Sequence, residues 1–316
     1  NVKEANKSSF LGSVISVPGG TGEFFEKEIK DRPIIVAKVM KQVADFGLLM
    51  KYGDFTCLLP TQLATAEKAE FESLVGKELE VSFMNQDGKK KVVDQISFSV
   101  EEGELLGIVG ESGSGKSMTA LAILGLLKEK AIVEKGSIFF NGRDLLQLDL
   151  EELRKIKGSE ISMIFQEPMT SLNPLQRVGK QIEEAIYIHE NCSKESGKER
   201  TLLALKEAGF DEPEEIYGKY PHQLSGGMRQ RVMIALAYVN HPKLLIADEP
   251  TTALDVTIQA QILELLKDIQ KKTGCAIMLI THDLGVIAEM ADEVVVMYAG
   301  KIIEKGTVTE IFKHPK

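Results

Sequence analysis

The chain has 316 residues, of which 43% are hydrophobic, and it carries a formal net charge of -9 with a pI of about 5.3. This length predicts one large domain or two, and the apolar fraction is typical of a globular protein with a real core. The acidic balance argues against a nucleic-acid-binding protein, whose surface is usually basic, although a local basic patch can lie inside an acidic total.

The cysteines and the apolar runs argue against two further classes of protein. Cys57, Cys192 and Cys275 are far apart and form no CxxC pair. Neither a disulfide framework nor a zinc site is therefore expected, and a reducing cytosolic setting fits. No apolar run approaches the ~20 residues that a membrane-spanning helix needs, and the first residues show no signal-peptide pattern. Any role at a membrane is expected to be peripheral.

The first predicted domain, residues 1–77, is rich in short strand-like runs separated by turn residues such as Gly53-Asp54. Strands at this spacing predict a small β-barrel. The runs are Ile34 to Val39, Gly47 to Tyr52 and Phe55 to Leu59.

Around these runs, Asp45-Phe46-Gly47, Tyr52-Gly53 and Cys57-Leu58-Leu59-Pro60 resemble the S1 type of OB-fold, which usually binds RNA. Such barrels stack bases on exposed aromatic side chains, and Phe46 matches one of the aromatic positions. Leu48 and Leu49 stand where a second aromatic is common, and residues 60–62 replace a frequent histidine-containing segment. A small barrel that keeps its aromatics in the core is the alternative interpretation.

The second predicted domain, residues 78–316, has an α/β pattern. Buried-type strands are predicted at 105–109, 244–247 and 276–280, with helices at 117–127 and between the last two strands. In that second helix, apolar residues at 258, 262, 265, 266 and 269 share one face, and Gly274 is the expected stop. Strands that alternate with helices predict a largely parallel sheet. The charged stretch at about 149–221 is interpreted as an inserted helical subdomain.

Residues 110–117, GESGSGKS, fit the phosphate-loop pattern GxxxxGK[ST] between a predicted strand and a predicted helix. Such glycines let backbone N–H groups wrap phosphates, and the helix N-terminus adds a positive dipole. Lys116 is expected to reach the β- and γ-phosphates of ATP, and Ser117 to hold Mg²⁺. The residues predicted to contact the nucleotide are Gly110, Ser112, Gly113, Ser114, Gly115, Lys116, Ser117 and Met118.

The apolar strand Leu244-Leu245-Ile246-Ala247 ends in two carboxylates, which is a Walker B pattern. Asp248 is expected to bind Mg²⁺, and Glu249 to orient and deprotonate the attacking water. Taken alone, the pair could equally be the solvated acidic end of a strand.

The heptapeptide LSGGMRQ at 224–230, downstream of the phosphate loop, gives an ordered set of motifs that resembles the ATP-binding cassette (ABC) ATPases. Ser225, Gly226 and Gly227 start a helix and so suit binding of a γ-phosphate. The resemblance implies that this signature faces the nucleotide of a partner cassette, so that a monomer binds ATP but hydrolyses it poorly.

The same resemblance assigns roles to residues that would otherwise be unremarkable. It implies that His282 contacts the γ-phosphate, and that Gln166 senses Mg²⁺ and water. It also implies that Thr252-Ala253-Leu254-Asp255 is a loop crossing the dimer interface, with Asp255 among the nucleotide-site residues. Phe83 is the candidate for stacking on adenine, although residues 79–83 fit equally well as the last part of the barrel.

The amino-acid sequences of these motifs are similar to those in the D-type ATPase subunits of bacterial importers of the oligopeptide, dipeptide and nickel group. This similarity extends over about residues 81–316. This implies a P-loop ABC ATPase on the cytoplasmic side of the cell membrane. The implied partners are a second ABC ATPase subunit, in a homodimer or heterodimer, integral membrane permease subunits and, indirectly, a periplasmic or lipid-anchored solute-binding protein. Residues 167–174 are the candidate permease-docking surface. The tail that can carry an iron–sulfur cluster in that group has no counterpart after Lys316, so no cluster is expected.

Two other functions remain as alternatives. One is a soluble ABC ATPase that acts on ribosomes or DNA, although such proteins usually carry two cassettes or a long coiled coil. The other is an RNA-binding protein that uses the barrel and carries the cassette as an appendage, with RNA as a less favoured partner.

Overall fold

The computed structural model describes residues 12–16, 34–43, 47–52, 55–60, 75–76, 78–83, 91–127, 131–166, 171–252 and 254–314. The chain divides into two units, Asn1–Val92 and Val93–Lys316. The predicted division lay between residues 77 and 78. The later division arises because residues 78–83 pair with strands of the first unit rather than of the second.

Five strands of the first unit pair into a closed barrel in the order β1-β4-β3-β2-β5. The strands β2, β3 and β4 form an antiparallel meander, while β1 lies antiparallel to β4 and parallel to β5. Ala37 and Val39 on β2 are buried and alternate with exposed Lys38 and Met40, as expected for strands with one face inside a barrel. The strands are β1 Gly12–Ser16, β2 Ile34–Val43, β3 Gly47–Tyr52, β4 Phe55–Pro60 and β5 Glu78–Phe83.

The strands of the second unit form a six-stranded sheet and a short two-stranded ribbon. They are β6 Leu105–Gly110, β7 Phe139–Phe140, β8 Arg143–Asp144, β9 Ile161–Ile164, β10 Leu244–Asp248, β11 Ala276–Thr281, β12 Glu293–Tyr298 and β13 Lys301–Thr307.

The described helices of this unit connect the strands, and four of them lie in succession between β9 and β10. They are α1 Lys116–Ile123, α2 Leu150–Ile156, α3 Val178–Tyr187, α4 Lys194–Glu207, α5 Pro213–Gly218, α6 Gly226–Tyr238, α7 Val256–Thr273, α8 Leu284–Met290 and α9 Val308–Lys313. The predicted stop at Gly274 is confirmed, because this residue is the left-handed C-cap of α7.

The sheet has the order β13-β12-β6-β11-β10-β9, parallel except for the antiparallel edge strand β13. Its inner strands β6, β10 and β11, and also β9, are largely buried on both faces. On β6, Leu105 and Val109 belong to one apolar core, and Leu106 and Ile108 belong to another on the opposite face. A sheet covered on both sides is the usual setting of parallel strands, and it confirms the predicted α/β architecture.

The predicted helical subdomain at about 149–221 includes one element that the sequence analysis missed. Residues 161–164 form β9, which pairs in parallel with β10 and so belongs to the sheet. The helices α3, α4 and α5 follow it and pack, together with α6, around Ile182, Ile186 and Leu205 in the first core. Four apolar or small residues inside a charged stretch are too short a run to identify as a strand by periodicity.

Among the described residues, no helix combines the length and the apolar character needed to cross a membrane.

Candidate functional site

The loop between β6 and α1 requires glycine at two positions for different reasons. Gly115, the N-cap of α1, has φ +103°, a left-handed backbone conformation that residues with a Cβ rarely adopt. At Gly110 a Cβ would lie 2.1 Å from the carbonyl oxygen of Met297, so a neighbouring strand excludes any side chain there. The backbone of the loop therefore curves tightly at the start of α1, which is the conformation that a phosphate-binding loop needs.

Lys116 lies inside this loop with only 5% of its surface exposed. Its Nζ donates hydrogen bonds to the carbonyl oxygens of Gly110, at 2.7 Å, and of Glu111, at 3.0 Å. Burial lowers the pKa of Lys116, and the carboxylates of Glu249 and Asp248 oppose that shift. The ammonium of Lys116 at the start of a helix suits an anionic ligand, and the two carboxylates suit a cation that accompanies it.

Ser117 and Asp248 meet although they belong to different motifs. Ser117 Oγ donates to Asp248 Oδ1 over 3.1 Å, and only 5% of the surface of Asp248 is exposed. Burial raises the pKa of Asp248, and the charge of Glu249 adds to that rise, while the hydroxyl of Ser117 opposes it. The structure thus places two of the predicted Mg²⁺ ligands side by side.

The carboxylate of Glu249 has three polar side chains around it. Its Oε2 accepts hydrogen bonds from Gln166 Nε2 at 3.0 Å and from Thr252 Oγ1 at 2.8 Å. Its Oε1 lies 3.3 Å from His282 Nδ1. The predicted residues Gln166, Glu249 and His282 therefore converge on one point.

This convergence follows from the sheet. The strands β9, β10 and β11 are parallel neighbours, so their carboxyl ends lie at the same edge, where Gln166, Glu249 and His282 follow them. Glu249 has φ +47°, an unusual backbone conformation for a residue with a side chain, and its N–H donates to the carbonyl of Ile280 at 2.9 Å. The edge of the sheet therefore fixes the position of the Glu249 backbone, from which the carboxylate extends.

The signature residues start α6 beside the start of α7. Ser225 is the N-cap of α6 and accepts from the N–H of Met228 at 3.3 Å, while Gly226 and Gly227 form the first turn. A Cβ on Gly227 would lie 2.6 Å from Ile258 Cγ2, so the two helices approach closely there. Asp255 caps α7 by accepting from the N–H of Ile258 at 3.0 Å. Two helix N-termini thus lie next to each other, with exposed caps.

The remaining predicted positions divide into three groups. Ser112 and Gly113 are exposed on the loop, and Met118 is half-buried in α1. Phe83 ends β5 in the first unit, and its side chain is outside the described residues, so its contact with adenine stays a prediction. Residues 167–170 of the candidate docking surface, together with Phe46 and Ala253, also lie outside the described residues.

Thr252 was missed as a site residue. Its hydroxyl reaches Glu249 because the N–H of Thr252 also bonds the carbonyl of Glu249 at 3.2 Å, which closes a turn over residues 249–252. The sequence does indicate this turn, because Glu249 and Thr252 are three positions apart and Pro250, between them, is a residue common in such turns.

A largely parallel sheet with a glycine loop after one strand and a pair of carboxylates at the end of another defines a P-loop nucleotide-binding ATPase. The sequence profile of the ABC transporter family matches residues 93–252. The chain belongs to this family and is an ATP-binding, ATP-hydrolysing domain of it.

Two relatives and one solved structure illustrate the similarity. The oligopeptide transport ATP-binding protein OppD of Bacillus subtilis is 54% identical over 241 residues, which are 76% of this chain and 67% of that protein. The dipeptide transport ATP-binding protein DppD of Haemophilus influenzae is 55% identical over 240 residues, 76% of this chain and 73% of that protein. A dimeric ATP-binding cassette in a post-hydrolysis state with ADP and phosphate matches at a TM-score of 0.62 and 26% identity, covering 87% of this chain and 99% of that one.

Proposed function

We propose that this chain is the ATPase subunit of a bacterial ABC importer whose cargo is a dipeptide or an oligopeptide. The observation that supports a peptide cargo is the sequence identity of 54% and 55% to two relatives that are named as peptide transport proteins. Because both of these relatives are named for peptide transport, we favour peptides over nickel. On this proposal the subunit works at the cytoplasmic face of the membrane, on permease subunits that a solute-binding protein supplies with peptide.

We assign the chemical step to the groups around Glu249. Lys116 binds the β- and γ-phosphates, since it is a buried cation held inside the phosphate loop. Glu249 accepts the proton of the attacking water, and Gln166 and His282 hold the water and the γ-phosphate, since both contact that carboxylate. This division of roles is supported by the convergence of the side chains at the carboxyl edge of the sheet.

Mg²⁺ fits the oxygen donors of Ser117 and Asp248, which already lie within hydrogen-bond distance of each other. When bound with ATP, it would neutralise phosphate charge. Among the described residues there is no group of three or more His, Cys, Asp or Glu that could hold a metal. This suits a magnesium ion that takes most of its ligands from phosphates and water, with Gln166 as the further predicted ligand.

The proposed working unit is a dimer of cassettes. The starts of α6 and α7 expose the caps Ser225 and Asp255, and helix N-termini favour anions. The hydrogen bond described for Ser225 is its own cap to Met228, so this surface is left to act on the nucleotide of a partner. The similarity to a dimeric cassette supports this arrangement.

The permease contact is proposed at residues 167–174 and the loop that continues them. Gln181 is buried and binds this loop three times, through the N–H and the carbonyl of Asn173 and the carbonyl of Gln176. Leu175, at the tip, is 87% exposed. A large apolar side chain displayed on a loop that is held in place suits an interface with another protein.

The test is peptide uptake by proteoliposomes that contain this chain with its permease subunits and binding protein. We expect uptake of a labelled dipeptide to require ATP on the side of the membrane where the ATPase subunit lies. Unlabelled peptide should inhibit this uptake, and Ni²⁺ should not. Uptake of Ni²⁺ without peptide uptake would contradict the proposed cargo.

For the first unit, we propose an S1-like OB barrel. Five strands in a closed ring with a β2-β3-β4 meander support it, because the OB-fold is a five-stranded Greek-key barrel. The fluorescence anisotropy of a labelled single-stranded RNA, titrated with the full chain at low salt, tests whether this barrel binds RNA. We expect weak binding at most, since the net charge is -9.

A further inference from the structure

The hydroxyl of Thr252 has a distinct position among the groups that surround Glu249. Gln166 and His282 follow the strands β9 and β11, whereas Thr252 lies on the same turn as Glu249, three residues further along the chain. Its hydrogen bond to Oε2, at 2.8 Å, is the shortest of the three contacts. A bond to an ionised acceptor is stronger than a neutral one, which makes this contact suited to orienting the carboxylate.

The turn that carries both residues is itself fixed from two sides. The N–H of Glu249 donates to Ile280 at 2.9 Å, and the N–H of Thr252 donates to the carbonyl of Glu249 at 3.2 Å. The backbone of Glu249 therefore belongs to the sheet, and the direction of its side chain depends on where the turn places Thr252. A carboxylate with several rotatable bonds needs such a partner to hold one rotamer.

The turn also leads into the surface proposed to meet a partner cassette. The N–H of Leu254 donates to the carbonyl of Thr251 at 3.3 Å, and a Cβ on Gly226 of the signature would lie 3.6 Å from Leu254 Cδ2. Asp255 then caps α7. Thr252 therefore lies, along the chain, between the carboxylate of Glu249 and the cap of α7.

We propose that Thr252 is a positioning residue for ATP hydrolysis, whose hydroxyl holds Oε2 of Glu249 in the direction set by the turn over residues 249–252. The inference rests on the proposed function, in which Glu249 accepts the proton of the attacking water.

The experiment measures Mg-ATP hydrolysis by the full chain over a series of protein concentrations, for Thr252→Val and Thr252→Ser. Valine keeps the shape of threonine but lacks the hydroxyl, whereas serine keeps the hydroxyl. We expect Thr252→Val to lower kcat about tenfold with KM for ATP nearly unchanged, because one hydrogen bond to a charged group is lost. Thr252→Ser is expected to restore most of the rate.

A double-mutant cycle separates positioning from a general structural effect. In a Glu249→Gln background, Thr252→Val should lower the residual rate far less than it does alone, since the group that it orients is already removed. Equal losses in both backgrounds, equal losses in the Val and Ser variants, or a large rise in KM would each overturn the role of the hydroxyl. If Glu249→Gln itself leaves hydrolysis unchanged, the assignment of Glu249 fails instead, so the two failures are distinguishable.

Discussion

Ser117 Oγ donates a 3.1 Å hydrogen bond to Asp248 Oδ1, which joins the first helix of the cassette to a strand 131 residues further along the chain. The phosphate loop and the Walker B strand are thereby held at one place on the sheet. The predictions for Lys116, Glu249 and Gly110 depend on the short contacts around this place.

Replacing Lys116 with alanine should weaken ATP binding by about tenfold or more, because a charge-assisted contact to the phosphates is lost. The alanine variant also loses the two hydrogen bonds from Nζ to loop carbonyl groups, so circular dichroism is measured to check its fold. Equilibrium titration with a fluorescent ATP analogue measures the effect. Lys155→Ala, at an exposed position of α2, is the matched control, and equal affinity in both variants would contradict the role of Lys116.

Glu249→Gln should lower ATP turnover by roughly a hundredfold or more while ATP is still bound, since general base catalysis contributes that order of magnitude. Glutamine keeps the size of the side chain but cannot accept the proton. Steady-state phosphate release and nucleotide titration are measured together. Glu264→Gln, on an exposed part of α7, serves as control, and undiminished turnover in the Glu249 variant would exclude it as the base.

Mixing two inactive variants should restore hydrolysis if the sites are shared between chains. A Lys116→Ala chain keeps an intact signature, and a Ser225→Arg chain keeps an intact phosphate loop. In a mixed dimer these two intact halves form one complete site, whereas each pure dimer has none. Phosphate release from a mixture that exceeds the sum of the separate variants confirms the shared site. A strictly additive rate would mean that each chain uses its own signature.

Gly110→Ala should destabilise the phosphate loop and abolish nucleotide binding, because the new Cβ would lie 2.1 Å from a backbone oxygen of Met297. Thermal unfolding, followed with and without ATP, measures both effects. The matched control is Gly218→Ala, since a Cβ there would have no heavy atom within 4 Å. A Gly110→Ala protein with normal stability and ATP affinity would contradict the close approach of the loop to β12.

Cys275 should resist alkylation in the folded protein. Only 3% of its surface is exposed, and burial raises the pKa of its thiol to about 12 from 9.0. The reactive thiolate is therefore scarce at pH 8. Mass spectrometry after iodoacetamide treatment should find native Cys192 labelled well before Cys275, and both labelled in guanidinium. Rapid labelling of native Cys275 would show that the site is open.

The same thiol makes stability fall at high pH. Because its pKa in the folded state lies above that in the unfolded state, the folded protein retains the proton while the unfolded chain loses it. The contribution is fully present below about pH 9 and is lost progressively as the pH rises towards about 12, by at most ~1.4 kcal/mol per pH unit. Denaturant titrations of wild type and Cys275→Ala should converge over this range.

The sequence predicted the elements whose pattern is locally unambiguous. The strands ending at Gly110, Asp248 and Thr281 are apolar runs followed by a motif, and all three lie in the sheet. The strand β9 was missed because Ile161-Ser162-Met163-Ile164 is short and follows a charged helix. Residues 79–83 were left open between barrel and cassette, a choice that depends on pairing with distant strands.

At the site, the residue types were predictable and one of the contacts was not. The meeting of Gln166, Glu249 and His282 follows once the three strands are known to be parallel neighbours. The contact from Thr252 depends on the left-handed backbone of Glu249, which turns the chain back on itself. The spacing of three positions across Pro250 indicates a turn but not this contact, because a positive φ at a residue other than glycine is uncommon.

That backbone conformation has a consequence for how this protein can evolve. A glutamate at φ +47° costs on the order of 1–3 kcal/mol, a strain that glycine would relieve. Glu249→Gly should therefore raise the midpoint of thermal unfolding above that of the wild type and, on the role proposed for Glu249, abolish hydrolysis. On that role, selection for thermostability alone would remove this carboxylate, and keeping it trades stability for catalysis at one residue.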